Sequence, residues 1–286
     1  MRNITWPKPL IQELKDKRGL IFLGAGASKS CASNAGERFP DWKQLLETLG
    51  QDMTGDDKAA FDDLLEKSRY LDAAQVVADT VHPSTQHDTL GSFFQNKKIK
   101  PSSLYESVNL IDQPIVLTTN YDNMYETYWN SLEPDSDDDP QLITADPASK
   151  HIVDHLRSGR RLLIKVHGSI SNPHDLVLSR SSYAKSRTEN AEFYRVVSSL
   201  MLTRTMLFIG CGFGGDPDID LLLEDAAFNA QSNYPHYALI PEGMHRSQIS
   251  ALRNAFNIQA IEYEVRGNDH SDLLAHLSEL ATIVSD

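Results

Sequence analysis

Short, largely apolar runs alternate along this chain with longer stretches in which apolar positions recur at helical spacing. The runs lie at residues 21–23, 115–117, 162–166, 206–209, 237–240 and 259–263. Apolar strands that alternate with amphipathic helices are typical of a buried parallel sheet. The pattern therefore predicts a Rossmann-like α/β fold, in which helices cover both faces of a parallel sheet.

The interval between the first two runs departs from this alternation. Residues 39–108 contain no comparable β-rich run, and apolar residues recur at helical spacing within residues 42–49, 59–68, 71–80 and 88–94. We interpret this interval as a helical module inserted into a single domain that covers residues 1–286. A closing amphipathic helix is expected over residues 272–283, and the acidic run at residues 133–140 is interpreted as a solvated loop.

Composition narrows the classes of function. With 286 residues, 40% of them hydrophobic, the chain is long enough to bury a full core. Its formal charge of −13 disfavours direct binding of nucleic acid, which requires clustered Lys and Arg side chains. The sequence has no run of about 18 apolar residues, so we expect neither secretion nor a membrane span. A cytoplasmic enzyme is the default expectation.

The cysteine count bears on metal binding. Cys31 and Cys211 are the only cysteines, and neither belongs to a C-x-x-C pair, so a four-cysteine zinc module cannot be built. We interpret both as small apolar fillers. The acidic run at residues 133–140 lacks the glycine and the terminal glutamate of a calcium loop. We therefore expect no metal site.

Candidate chemistry is concentrated in the turns that directly follow predicted strands, where open parallel sheets bind their ligands. The first turn reads GAGAS at residues 24–28, and a similar turn, GCGFGGDPD, occupies residues 210–218. Glycine lets a backbone approach a pyrophosphate closely, and the N–H groups at a helix start favour its charge. Lys29 replaces the third glycine of the G-x-G-x-x-G fingerprint, so a purely structural tight turn is the alternative.

Two further turns carry polar side chains. Asn120 and Asp122 follow the second run, where an amide and a carboxylate can orient a ribose hydroxyl or a water and accept from a carboxamide. The alternative is that one of them only caps the helix expected at residues 124–129. His167 follows the third run, and an imidazole can take a proton from a hydroxyl or a water near neutral pH. No second histidine or cysteine lies at ligand spacing from it.

In this order, the turns GAGAS, TTNYD, KVHGS and GCGFGGDPD resemble the sirtuin family. They are more similar to its bacterial branch of NAD-consuming defence proteins than to its protein deacetylases. The resemblance extends from residue 20 to about residue 280. It implies that Asn120 and His167 are catalytic, with Asn120 near the nicotinamide ribose and Asp122 near the carboxamide. It also implies that NAD is bound by Gly24, Ala25, Gly26, Ser28, Asp41, Asp122, Gly210, Gly212 and Phe213.

Departures from the sirtuin pattern distinguish between reactions. The zinc module beside the peptide cleft is missing, and Lys43 and Thr119 stand where deacetylases have arginine and glutamine. Cys211 and Gly212 alter the glycine turn on the adenosine side. The resemblance therefore implies an NAD glycohydrolase that releases ADP-ribose and nicotinamide and depletes NAD in antiviral, abortive-infection defence. A non-catalytic sensor of NAD or ADP-ribose, and an NAD-dependent protein deacylase or ADP-ribosyltransferase, are the alternatives.

Unrestrained hydrolysis of NAD would be toxic to the host, so we expect regulation through assembly. The resemblance implies a HerA-type hexameric ATPase as partner, with an Argonaute-type protein as the alternative. From the net charge and the lack of a long apolar run, we expect neither nucleic acid nor membrane as a direct partner. We expect a closed homo-oligomer, because the helical module carries more apolar residues than the sheet can cover. The alternative is that they form the module's own core: Phe61, Leu64, Leu65, Tyr70, Val76 and Val77.

Overall fold

The computed structural model of this chain describes residues 4–132, 141–213, 223, 234–267 and 269–286. Its centre is a sheet of seven strands, numbered along the chain as β1 (Gly19–Leu23), β2 (Ile115–Thr118), β3 (Ile143–Ala145), β4 (Leu162–Lys165), β5 (Thr205–Ile209), β6 (His236–Pro241) and β7 (Ile258–Tyr263). They lie in the order β3-β4-β2-β1-β5-β6-β7, and each neighbouring pair among them is parallel.

Helices connect and cover these strands. Those described are α1 (Lys8–Lys15), α2 (Ala25–Ser30), α3 (Trp42–Leu49), α4 (Gly55–Glu66), α5 (Tyr70–Thr80), α6 (Pro83–Phe94), α7 (Ser103–Ile111), α8 (Met124–Trp129), α9 (Ile152–Arg157), α10 (Arg180–Glu189), α11 (Ala191–Thr203), α12 (Arg246–Phe256) and α13 (Ser271–Ser285). Within the described ranges, none of them has both the length and the apolar character needed to cross a bilayer.

Two separate apolar cores lie on the two faces of the sheet. Because side chains alternate along a strand, Ile21 and Leu23 of β1 face one core, whereas Leu20 and Phe22 face the other. The first core is completed by α1 to α8 and α13, and the second by α9, α11 and α12. The predicted α/β fold, with helices on both faces of a parallel sheet, is confirmed.

Strand β3 is an element that the sequence pattern missed. It has only three residues and lies at the edge of the sheet, where Ile143 is half-buried and Thr144 is exposed. A strand this short and this exposed leaves no apolar run to recognise. The preceding acidic run, at residues 133–140, lies outside the described residues.

The helical interval between β1 and β2 corrects one argument from the sequence. Three of the six apolar side chains expected to remain for an oligomer interface are buried: Phe61, Leu65 and Val77. The other three, Leu64, Tyr70 and Val76, are half-buried and pack against the same core as the sheet. The expectation that these side chains are surplus to the fold is wrong, because α4 and α5 pack on each other and turn their apolar sides into that core.

Both cysteines are buried, as expected of apolar fillers. Cys31 belongs to the first core and Cys211 to the second. Burial raises the pKa of the Cys31 thiol to about 11, which keeps it protonated near neutral pH.

The order of the strands locates the crevice of the sheet. After β1 the chain builds β2, β3 and β4 on one side of it, and then crosses over to build β5, β6 and β7 on the other. Open parallel sheets bind ligands at the carboxyl ends of the strands where the order reverses in this way. That position lies at the ends of β1 and its two neighbours, β2 and β5.

Candidate functional site

A pocket opens beside the carboxyl ends of β1, β2 and β4. It encloses about 540 Å³ of space, including its open mouth. Six residues that the sequence predicted for the site line it together: Ala25, Ser28, Asp41, Asn120, Asp122 and His167. They come from four separate segments of the chain, and the parallel sheet brings three of these segments to one edge.

The glycines of the first and last turns lie behind the pocket and contact one another. The amide of Gly24 donates to the carbonyl of Ile209 at 2.9 Å, and that of Gly26 donates to the carbonyl of Gly210 at 2.8 Å. A Cβ on Gly26 would lie 2.8 Å from the Gly210 Cα, so a larger residue would force the two turns apart. These glycines are therefore needed for the packing of the two turns, whether or not they also bind a ligand.

Asn120 is held at the junction of β1 and β2. The hydroxyl of Thr118 donates to the carbonyl of Leu23 at 2.8 Å and accepts from the Asn120 amide at 3.0 Å. The side-chain nitrogen of Asn120 donates to the carbonyl of Gly24 at 2.9 Å. These bonds orient the carboxamide at the base of the pocket.

The carboxylate of Asp122 is almost completely buried, with 5% of the residue exposed. Its Oδ1 accepts from the Met124 amide at 2.9 Å, and its Oδ2 accepts from the Ser28 hydroxyl. Asp122 therefore lines the pocket and also satisfies the amide of the first residue of α8, but the N-cap of that helix is Asn123, so the alternative interpretation of Asp122 as its N-cap is wrong. Burial, followed by the negative charge of Asp122, raises the pKa of the Tyr105 phenol well above its usual value.

His167 lies two residues beyond the end of β4. The Val166 amide extends the ladder to β2 by donating to the carbonyl of Thr118 at 2.9 Å, and the chain then turns at Gly168, whose φ is +85°. A Cβ at Gly168 would lie 2.8 Å from the carbonyl oxygen of Asp175, so this turn requires glycine. Only 1% of His167 is exposed, and its ring meets that of Tyr183 edge to face at 5.9 Å. A ligand would reach this ring from the pocket.

Asp41 begins the helix that borders the pocket mouth. Its Oδ1 accepts from the Gln44 amide at 2.9 Å, and the Gln44 side chain accepts from the Asp41 amide at 2.9 Å. This capping box fixes the start of α3 and with it the neighbouring pocket residues Pro40 and Trp42.

The residues predicted to contact the adenosine side, Gly210, Gly212 and Phe213, do not line this pocket. Gly212 is exposed, and the Phe213 ring packs against that of Phe208 at 5.5 Å in the second core. The remainder of their turn, residues 214–218, lies outside the described residues. The adenosine contacts stay a prediction.

A family comparison adds to this description of the site. The SIR2-like domain family matches residues 114–261, slightly more than half of the chain. This range contains the turns that carry Asn120, His167 and Gly210.

The chain belongs to the SIR2-like domain family.

Relatives of this SIR2-like domain include bacterial proteins named as NAD(+) hydrolases and as a defence-associated sirtuin. A protein named NAD(+) hydrolase ThsA from Acinetobacter baumannii (strain 532279) is 24% identical over 258 residues, which cover 84% of this chain and 46% of that protein. NAD(+) hydrolase ThsA from Bacillus cereus (strain MSX-D12) is 22% identical, with the same shares covered. Defense-associated sirtuin 2 from Bacillus subtilis is 23% identical over 76% of this chain and 20% of that protein. The resemblance to the defence-associated branch is confirmed, and the chain spans less than half the length of these relatives.

An aromatic wall of the SIR2-like domain was only partly predicted. Phe39 stacks on Phe94 with ring centroids 5.7 Å apart, and Phe94 meets Tyr121 edge to face, also at 5.7 Å. The Tyr121 hydroxyl donates to the carbonyl of Val177 at 2.6 Å, which fixes its ring. All three rings line the pocket, and Phe94 comes from α6 of the helical module, where helical spacing alone marks it as a core residue.

The SIR2-like domain also buries an ion pair next to the site. Lys165, the last residue of β4, has no exposed surface, and its Nζ lies 3.2 Å from Oε1 of Glu126. Burial raises the pKa of the Glu126 carboxyl, and the Lys165 charge opposes that rise. In the sequence, the only sign of this ion pair is that Lys165 interrupts an apolar run. Periodicity does not show what the lysine side chain contacts.

The described residues contain no cluster of three or more His, Cys, Asp or Glu side chains that could hold a metal ion.

Proposed function

We propose that this chain cleaves NAD to ADP-ribose and nicotinamide. The observation that carries the proposal is the convergence of Asn120 and His167 on one pocket at the switch point of the sheet. An amide and an imidazole at that position suit the positioning of a ribose and a water and the removal of a proton. The names of the relatives, two of them NAD(+) hydrolases, support the same reaction.

The shape and charge of the pocket suit the nicotinamide end of NAD. Phe39, Phe94 and Tyr121 offer ring surfaces to a flat pyridine, and the Asp122 carboxylate can accept a hydrogen bond from its carboxamide NH2. The buried negative charge also attracts the cationic ring of NAD. We assign the adenosine side to the neighbouring Gly24, Gly26 and Gly210 turns and to Gly212 and Phe213.

The reaction breaks the C–N bond between nicotinamide and the ribose. The pyridinium takes the bonding electron pair and leaves as neutral nicotinamide, and an oxocarbenium-like ribosyl cation remains. Water adds to that carbon and loses a proton, so that NAD⁺ and H2O give ADP-ribose, nicotinamide and H⁺. The side-chain nitrogen of Asn120 donates a hydrogen bond to the carbonyl of Gly24. We therefore assign the orientation of the water and the ribose hydroxyls to the carboxamide oxygen of Asn120. His167 accepts the proton from the water or from a ribose hydroxyl.

The proposal predicts that purified protein converts NAD to equal amounts of ADP-ribose and nicotinamide. Products would be separated by chromatography after incubation with the protein alone and with candidate activators, and NAD binding would be measured by calorimetry. Deacylation of an acetyl-lysine peptide with consumption of NAD would favour the deacylase alternative. Binding without turnover under every condition would favour a sensor, and the absence of both would refute the proposal.

We propose in addition that the hydrolase depletes NAD in antiviral defence and works within an assembly. The domain, residues 1–286 with the helical insertion at about 39–108, would form a closed homo-oligomer and dock a HerA-type hexameric ATPase or an Argonaute-type protein. The name of one relative, Defense-associated sirtuin 2, supports the first part. The need to restrain an NAD hydrolase in its host supports the second part. The apolar side chains of α4 and α5 do not support it, because they pack in the first core.

The assembly proposal predicts a discrete particle larger than one chain. Light scattering coupled to size-exclusion chromatography would measure its mass over a range of micromolar concentrations. NAD turnover would then be compared before and after addition of a candidate ATPase. A monodisperse monomer at all concentrations, with turnover unaffected by either candidate partner, would contradict this proposal without affecting that of hydrolysis.

A further inference from the structure

Lys165 is the one charged residue among those described that is completely buried. It ends β4, pairs in register with Thr118 at the end of β2, and precedes His167 by two residues. Removing an ammonium from water is costly, and an apolar side chain of similar size is often tolerated as well or better in such a place. The stability of the sheet alone therefore does not account for a lysine here.

Within the described residues, the polar contacts of the Lys165 ammonium are all made with one short segment, residues 121–126, which comprises the turn after Asn120 and the start of α8. Its Nζ donates to the carbonyl of Asp122 at 2.5 Å and to that of Tyr121 at 3.2 Å. It also lies 2.9 Å from Oδ1 of Asn123 and 3.2 Å from Oε1 of Glu126. An ammonium has three protons, so these four acceptors more than satisfy it.

The same turn is also tied to the chain on the other side of His167. The Ile170 amide donates to the carbonyl of Tyr121 at 2.9 Å, so this carbonyl accepts from residues on both sides of the histidine. The Ser169 hydroxyl donates to Oδ1 of Asn123 at 3.1 Å. Together with Lys165, these bonds fasten the His167 turn to the Asn120 turn at both of its ends.

We infer that Lys165 is a positioning residue that fixes the Asn120–Asp122 turn relative to His167. It touches neither the pocket nor a reacting atom, and it acts through the backbone carbonyls that it binds. The catalytic consequence rests on the proposed hydrolysis of NAD, whereas the order that Lys165 imposes on the turn is independent of it.

Two variants test this role. Lys165→Met keeps the approximate length of the side chain and removes its charge. The double variant Lys165→Met with Glu126→Gln removes both charges of the pair, so that the Glu126 carboxylate is not left without its partner. The matched control is Lys185→Met on α10, where the lysine is exposed and reaches only Glu189 at 4.0 Å. We expect kcat for NAD to fall by about 10- to 100-fold in the double variant while KM changes little, because displaced groups cost rate more than binding.

Hydrogen exchange provides a readout that does not depend on turnover. In the double variant we expect exchange of the amides in residues 119–126 to become at least about tenfold faster, while β1, β5 and α13 exchange as in the parent. Unchanged exchange in this segment would overturn the inference, even if the parent protein proved not to cleave NAD. A double variant that fails to fold, or that loses kcat only in proportion to its folded fraction, would also overturn it.

Discussion

Replacing His167 by alanine is expected to lower kcat for NAD by roughly 10²- to 10⁴-fold, the usual contribution of a positioned general base. The imidazole lines the pocket, and its ring meets that of Tyr183 edge to face. Its backbone carbonyl, which accepts from the Val177 amide at 3.0 Å, is kept in the variant. Folding should therefore survive, and calorimetry should still detect NAD binding.

Replacing Asn120 by alanine should reduce kcat by roughly 10²-fold, since it removes the group proposed to hold the water and the ribose. Both residues are proposed to act on the same group, the water or a ribose hydroxyl, so their effects should not multiply. The double variant should be little slower than the slower single variant.

The matched control is His155→Ala on α9, because this histidine does not line the pocket. It should keep the parent rate. Multiplicative losses in the double variant would show that Asn120 and His167 serve separate steps. Parent rates in both single variants would refute their assignment as the catalytic residues.

The sequence was sufficient to predict the strands that build this site and the order of its turns. Buried parallel strands leave continuous apolar runs, and the polar residues directly after them, such as Asn120 and His167, must meet at one edge of the sheet. The prediction needed no knowledge of distances, because the topology of parallel strands brings their ends together.

Contacts between segments distant in sequence could not be predicted in this way. Phe94 lies 27 residues before Tyr121, and helical spacing identifies it only as a buried residue and not as a wall of the pocket. The same holds for Lys165. In the sequence this lysine only interrupts an apolar run, and its role depends on the carbonyls that its ammonium contacts, which the sequence does not show. Spacing also overestimated the free apolar surface of α4 and α5, because it does not show that the core of the sheet extends over them.

The glycine turns are an intermediate case. The sequence identified them as special positions, but it could not show whether their lack of a side chain serves a ligand or the packing of one turn against another. The structure shows the second requirement at Gly210, whose φ is +68° and whose Cβ would lie 2.6 Å from the Ala27 amide nitrogen. Two residues further on, a Cβ at Gly212 would meet no atom of the described residues within 4 Å.

This contrast predicts that Gly210→Ala is severely destabilising and that Gly212→Ala is nearly neutral. Alanine at position 210 must adopt a left-handed conformation, which costs about 1–2 kcal/mol, and must also displace α2 or β5, which costs about 1–3 kcal/mol. We therefore expect the free energy of unfolding to fall by about 2–5 kcal/mol for Gly210→Ala.

Chemical denaturation of the parent and of both variants would measure this difference, and the two variants are matched because they make the same substitution in one turn. If Gly210→Ala were as stable as Gly212→Ala, the close crossing of the first and last turns would be refuted. If Gly212→Ala were stable but weakened NAD binding, that glycine would be required by the ligand, as the resemblance to sirtuins implies. The pair therefore separates the structural role of the glycines from their proposed role in binding the adenosine side of NAD.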